Sequence, residues 1–237
     1  MTDLTESLAK TVERRYGLHP LILQRVCIIG ASNPQTKRIA QAIEGLDNAT
    51  YAVPRYVFSD SIDQDPNAPH PIGRLHGWDA LESLCRDNVM FANTVSGSTR
   101  ARYEVFKRVT EAGGRMMNFI DPKCPLPDVM GEGLYLQGDI IIQADVEIGD
   151  NSTVHDGAIL SHGVRIAKSC FVGAATMLGN SVALSGSYIG AGSIILPGVH
   201  VGSWATVGAG AVVLKNVPPG ATVVGNPARI IKVEPIA

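Results

Sequence analysis

From Leu136 to Val217 an aliphatic residue opens every sixth position. The openers are Leu136, Ile142, Ile148, Val154, Leu160, Ile166, Val172, Leu178, Leu184, Ile189, Ile195, Val201, Val207 and Val213. Counted this way, one unit is a residue short, Leu184-Ser185-Gly186-Ser187-Tyr188. The fifth position of the hexads is held by small or β-branched residues, with Tyr188 the large exception, and Gly149, Gly173, Gly179, Gly190, Gly202 and Gly208 take the second. A period of six fits neither the 3.6-residue repeat of an α-helix nor the two-residue alternation of a flat strand. It is the signature of a parallel β-helix, in which each coil turns a corner after every short strand. Three hexads close one triangular coil, and each coil buries its aliphatic stripe against its neighbours.

The first half of the chain has another pattern. Apolar runs at 25–30, 56–58, 90–95 and 116–120 read as strands, and helices are expected over 37–46, 78–85 and 100–112. A further helix is expected over 3–16, and 60–76 reads as a polar loop. Strand and helix alternate, which predicts a small parallel sheet of Rossmann-like α/β type ahead of the left-handed parallel β-helix. The expected boundaries are a helical extension over 1–24, the α/β domain over 25–121, a Pro/Gly-rich linker over 122–133, the β-helix over 134–217 and a cap over 218–237.

The net charge of −2 gives no electrostatic footprint for nucleic acid. The charged N-terminus has no apolar signal core, and no apolar run is long enough for a membrane helix, so a cytoplasmic protein is expected. Cys27, Cys85, Cys124 and Cys170 are scattered and read as free thiols.

The hexads are poor in reactive side chains. His155, Asp156, His162 and His200 are most of what they offer. Histidine is the natural general base near neutral pH. His162 is third in its hexad and so projects from a corner, with Asn180 expected one coil above it. Zinc held by His155, His162 and His200 is a rival use, but their spacing does not demand a metal. In the α/β domain the turns at 30–36 and 96–100 would share the sheet edge where such folds bind ligands. Asp60 ends the second strand, where a ribose hydroxyl is often held; on spacing alone the run Asp60-Ser61-Ile62-Asp63-Gln64-Asp65-Pro66 favours a solvated turn residue.

Four segments carry a family resemblance: Ala158-Ile159-Leu160-Ser161-His162, residues 189–199, residues 207–213 and Gly225-Asn226-Pro227-Ala228-Arg229, with Val95-Ser96-Gly97 and Arg102 a weaker match. The chain resembles the bacterial sugar O- and N-acetyltransferases of the left-handed β-helix class over nearly its whole length. The resemblance implies an acetyl-CoA-dependent homotrimer acting on a sugar or nucleotide-sugar, with acetyl-CoA between adjacent subunits. His162 falls on the family's catalytic base, and Phe171, Ala191 and Ala209 fall where relatives hold acetyl-CoA. Ala31, Ser32, Asp60 and Gly97 fall at the acceptor side. Two departures stand out. Many relatives place an acidic residue after the base, whereas this chain has Gly163, so an orienting acid would come from elsewhere, with Asp156 a candidate. Relatives also have a Gly-rich first turn, where Pro34 here removes an N–H. A catalytically inactive β-helix trimer that binds a nucleotide-sugar or serves in assembly is the alternative these departures raise.

Overall fold

The computed structural model describes Arg15, residues 26–29, 55–58, 75–76, 78, 81–87, 89–95 and 97–236, with the backbone path alone for 55–58 and 75–76. The expected helices over 3–16 (apart from Arg15, which is helical) and 37–46, the turn at 30–36 and Asp60 lie outside these residues. The chain divides into two compact units, residues 1–95 with 104–119, and 96–103 with 120–237.

The first unit is a five-stranded parallel sheet in the order β3-β2-β1-β4-β5. Its strands are β1 (Val26–Ile29), β2 (Arg55–Phe58), β3 (Leu75–His76), β4 (Met90–Asn93) and β5 (Arg115–Met116). Helix α1 (Leu81–Arg86) precedes β4, and α2 (Thr99–Glu111) links β4 to β5. The apolar sides of β1, β4 and both helices close one core around Cys27, Phe91, Leu84 and Val109. Burial pushes the Cys27 thiol up to about 12, so it packs as a small hydrophobe. Two expectations are corrected here. The polar loop over 60–76 ends in β3, whose two residues are too short to carry a period. The run 116–120 is split: Met116 belongs to β5, while Phe119–Ile120 joins a sheet of the second unit.

The second unit is the β-helix. Two-residue strands stack into three parallel sheets, one for each side of a triangular coil. The second residue of each strand points inward, so Leu136, Val154, Val172, Ile189 and Val207 form one buried column. Outward residues distinguish the sides. The charged side carries Glu147 paired to Arg165 at 3.5 Å, together with His200. The aromatic side carries Thr153, Phe171, Tyr188 and Thr206. The aliphatic side carries Ile141, Ile159, Thr176, Ile194 and Val212. The solenoid begins inside the expected linker, since Val129–Met130 already pairs with Glu147–Ile148. It ends in the expected cap region, where Ala221–Val224 continues the aromatic side and Arg229–Val233 turns back antiparallel.

The short hexad is not the one expected. The coil-to-coil offset is eighteen residues from Thr153 to Phe171, but seventeen from Ile159 to Thr176. The missing residue therefore lies between Phe171–Val172 and Thr176–Met177, at the corner Gly173-Ala174-Ala175. Met177 and Ala183 are the true inward residues, both fully buried, whereas Leu184 is 37% exposed. Ala175, Ser181 and Ser187 then fill the small core position, which removes the Tyr188 exception.

Candidate active site

Two columns of corners bound the aliphatic side, and the candidate residues divide between them. One column follows the aromatic side: His155-Asp156-Gly157, Gly173-Ala174, Gly190-Ala191-Gly192 and Gly208-Ala209-Gly210. The other follows the aliphatic side: Ala144-Asp145, Ser161-His162-Gly163, Leu178-Gly179-Asn180 and Pro197-Gly198. Phe171, Ala191, Ala209 and Asp156 belong with the first column, and His162 with the second. Asp156 and His162 therefore lie at opposite ends of the strand Ile159–Leu160, and one chain does not bring them together.

The first column is narrow and smooth. A Cβ at Gly190 would come within 2.7 Å of the Ala209 nitrogen, and one at Gly173 within 2.9 Å of the Ala191 nitrogen. Ala174, Ala191 and Ala209 are exposed, and their N–H groups donate no bond to another described residue. Beside them the rings of Phe171 and Tyr188 stack at 4.5 Å, and His155 lies 4.7 Å from Phe171. His155 is half-buried and its Nε2 has no partner among the described residues. Burial lowers its basicity; Asp156 opposes that shift and Arg102 adds to it.

The second column seats the imidazole. His162 is exposed, and its backbone N–H donates to Gln143 Oε1 at 3.0 Å. The residue stacked over it is Gly179, not Asn180, because the corner at 173–175 has lost a residue. A Cβ at Gly179 would lie 2.7 Å from His162 Nε2 and 2.8 Å from Cε1, so the ring occupies that space. Asn180 stacks over Gly163 instead, and a side chain at Gly163 would collide with Asn180 Oδ1. Sequence counting missed Gly179 for want of the correct register.

On the acceptor side, Gly97 is exposed with open space where a Cβ would be. Ser98 caps α2, accepting at Oγ from the Ala101 N–H at 3.2 Å. The first turn of α2 contains no acidic residue and includes Arg100 and Arg102. Residues 97–103 are fixed to the corners that precede the aromatic side. Arg102 is fully buried and donates to the carbonyls of Asn151 at 2.7 Å and Gly133 at 2.9 Å. The Asn151 amide returns a bond to the Arg102 carbonyl at 3.1 Å. Arg100 lies over the Trp204 ring at 4.6 Å, and Tyr103 meets it edge-on at 5.4 Å. Gly186 leaves the room that this indole fills. Desolvation pulls the Arg102 guanidinium down to about 9, still protonated at neutral pH. No group of three or more histidines, cysteines or carboxylates that could hold a metal occurs among the described residues.

Residues 185–215 match the family model "Bacterial transferase hexapeptide (six repeats)". The chain superposes on PerB of Caulobacter crescentus, solved with CoA and GDP-perosamine, with a TM-score of 0.74 and 25% identity, over 89% of this chain and 99% of that one. The acetyltransferase domain of PglB from Neisseria gonorrhoeae, solved with acetyl coenzyme A, gives 0.75 and 25% over 89% and 100%. This chain has the hexapeptide-repeat, left-handed β-helix acetyltransferase fold. By sequence it is also 39% identical over 106 residues to the putative acetyltransferase YvoF of Bacillus subtilis, covering 45% of this chain and 52% of that protein. A 2,3,4,5-tetrahydropyridine-2,6-dicarboxylate N-acetyltransferase of Staphylococcus aureus is 52% identical over 44 residues, 19% of this chain and 18% of that protein. The chain thus spans about half or less of the length of these two relatives. No described helix is long and apolar enough to cross a membrane.

Proposed function

We propose that this chain is an acetyltransferase that moves an acetyl group from acetyl-CoA to an amine or hydroxyl of a sugar or nucleotide-sugar, with His162 as general base. The observation that carries the reading is the pair of corner columns, joined to a fold shared with two proteins solved with CoA or acetyl-CoA. One column is a strip of small residues whose N–H groups donate to no other described residue, suited to a thin pantetheine arm; the other presents a single exposed imidazole.

In this reading the acceptor amine or hydroxyl attacks the thioester carbonyl carbon. The new C–N or C–O bond forms, the C–S bond breaks, and the proton lost by the nucleophile passes to His162 and on to the CoA thiolate. The two columns flank one aliphatic side, on which Ile141 is 53% and Ile194 37% exposed in the single chain. Packing this side against further copies brings the His162 corner of one copy against the Ala191 corner of the next. Such a head-to-tail contact closes into a ring where the rotation between copies permits, and a homotrimer is the assembly taken in this reading.

For the acceptor, open space at Gly97 and a first helical turn with no acid suit a phosphate-bearing ligand. PerB was solved with GDP-perosamine, which supports a nucleotide-linked amino-sugar here. The test is His162→Ala assayed for thiol release from acetyl-CoA across amino-sugar nucleotides. Loss of roughly a hundredfold or more in kcat, with acetyl-CoA binding retained, is expected. Unchanged turnover would remove His162 from the reaction, and a wild type inert on every acceptor would favour the binding or assembly module.

A further inference from the structure

Trp204 is the odd residue of a third corner column, the one that precedes the aromatic side. Its equivalents in the other coils are Gly133, Asn151, Ser169, Gly186 and Gly220. From Asn151 to Gly220 each donates its backbone N–H to the coil below, to the carbonyls of Glu132, Asp150, Lys168, Ser185 and Ser203 in turn. All six positions are left-handed, with φ between 57° and 72°. Glycine and asparagine take that conformation readily, and a tryptophan does not. Trp204, with φ of 60°, is the one bulky side chain at positive φ among the described residues. Such strain persists only where the contacts of the side chain over-determine it. Those contacts run two ways. Below, the indole fills the space that Gly186 leaves, and a side chain at 186 would collide with it. Outward, it meets the first turn of α2. The Arg100 guanidinium lies 4.6 Å from the ring centroid, and the Tyr103 ring meets it edge-on at 5.4 Å. Arg100 and Tyr103 are three residues apart and share one face of the helix.

Arg102 is the other attachment of this turn, bonded to the carbonyls of Gly133 and Asn151. On the column the Trp204 backbone stands three coils beyond Asn151, about 14 Å at the usual strand spacing. One buried arginine fixes where the turn sits; a second contact farther along the column fixes which way it points. We propose that Trp204 is a positioning residue for acceptor binding, setting with Arg100 and Tyr103 the direction of the Gly97-Ser98 turn along the solenoid. This rests on the reading of that turn as the place of the acceptor's phosphate. Trp204 acts through the turn, so it governs acceptor affinity and leaves the chemical step and the acetyl-CoA strip alone.

Two variants test it. Trp204→Gly removes the ring and relieves the left-handed backbone, while Trp204→Phe keeps an aromatic face under Arg100. In Trp204→Gly the KM for the nucleotide-sugar should rise about tenfold, with kcat and the KM for acetyl-CoA unchanged. The Kd for GDP or UDP, measured by calorimetry, should rise by the same factor, and Trp204→Phe should recover most of the loss. Hydrogen exchange reads the contact without turnover: amides of 99–103 should exchange about tenfold faster in Trp204→Gly, while those of 153–172 keep their protection. Unchanged exchange over 99–103 would overturn the proposal. So would faster exchange beside an unchanged KM and Kd, which would make Trp204 a strut with no part in acceptor binding. A wild type that binds GDP or UDP, loses that affinity in Trp204→Gly and transfers no acetyl group would sink the enzyme reading and leave the proposal standing. A wild type that binds neither nucleotide would remove the acceptor reading and the proposal with it.

Discussion

The two corner columns beside the aliphatic side are made from the same hexad and come out as opposites. The Ala191 column is worn smooth: Gly190 and Gly208 bring successive coils close, and Ala174, Ala191 and Ala209 add one methyl each. The His162 column is toothed, with an imidazole and an amide each fitted into a glycine of the facing coil. The difference teaches where a solenoid can store function. Inward positions are held by stacking and tolerate little beyond aliphatic and small residues. Corners are exposed and left-handed, so glycine or asparagine in one coil decides what the next coil can carry.

The contrast can be broken from the toothed side first. Gly179→Ala places a methyl where the His162 ring lies, and the ring, being exposed, can swing away without unfolding the coil. A loss of kcat of roughly tenfold to a hundredfold is expected, with little change in melting temperature, measured by steady-state kinetics beside thermal unfolding. From the smooth side, Ala191→Trp obstructs the strip without touching His162. The KM for acetyl-CoA should rise about tenfold with the KM for acceptor unaffected.

A third change asks whether the anchor of α2 is structural. Arg102→Ala removes the bonds to the buried carbonyls of Asn151 and Gly133 and opens a cavity, for a loss of about 1–3 kcal/mol in unfolding free energy by denaturant titration. The smallest effect concerns His155. Its folded pKa is lowered from 6.5, so the unfolded chain binds the proton first as pH falls. The stability tied to its neutral form is complete above 6.5 and is lost as pH drops below that value through the folded pKa. His155→Asn should flatten stability against pH in that window and leave the curve above it unchanged.

Much of the solenoid was legible in the sequence, because its period is long and its inward residues obey one steric rule. The slip was misplaced for a local reason. Met177 and Leu178 are adjacent and apolar, and so are Ala183 and Leu184; either of each pair satisfies the pattern. Burial decides for Met177 and Ala183. That one-residue error put Asn180 over His162 and hid Gly179, since a corner contact depends on register across a whole coil. Residues 116–120 read as one strand because Met116, Met117, Phe119 and Ile120 are apolar on both sides of Asn118, yet the chain changes sheet there. The division of the candidate site between two corners follows from counting hexads in threes: Val154, Val172, Ile189 and Val207 share one side, while Leu160 opens the next.

The central claim is that the His162 corner of one copy works with the Ala191 corner of another, and it is tested most directly by mixing two impaired proteins. His162→Ala and Ala191→Trp would be unfolded together in equal amounts, refolded, and assayed for acetyl transfer at an acetyl-CoA concentration well below the wild-type KM, where the Ala191→Trp parent runs at about a tenth of the wild-type rate. Random assembly pairs an intact His162 with an intact Ala191 corner in about a quarter of sites, so about a quarter of the wild-type rate at that concentration should return, above the rate of either parent. A mixture no more active than its parents would mean that each copy holds a complete site, and would contradict the account.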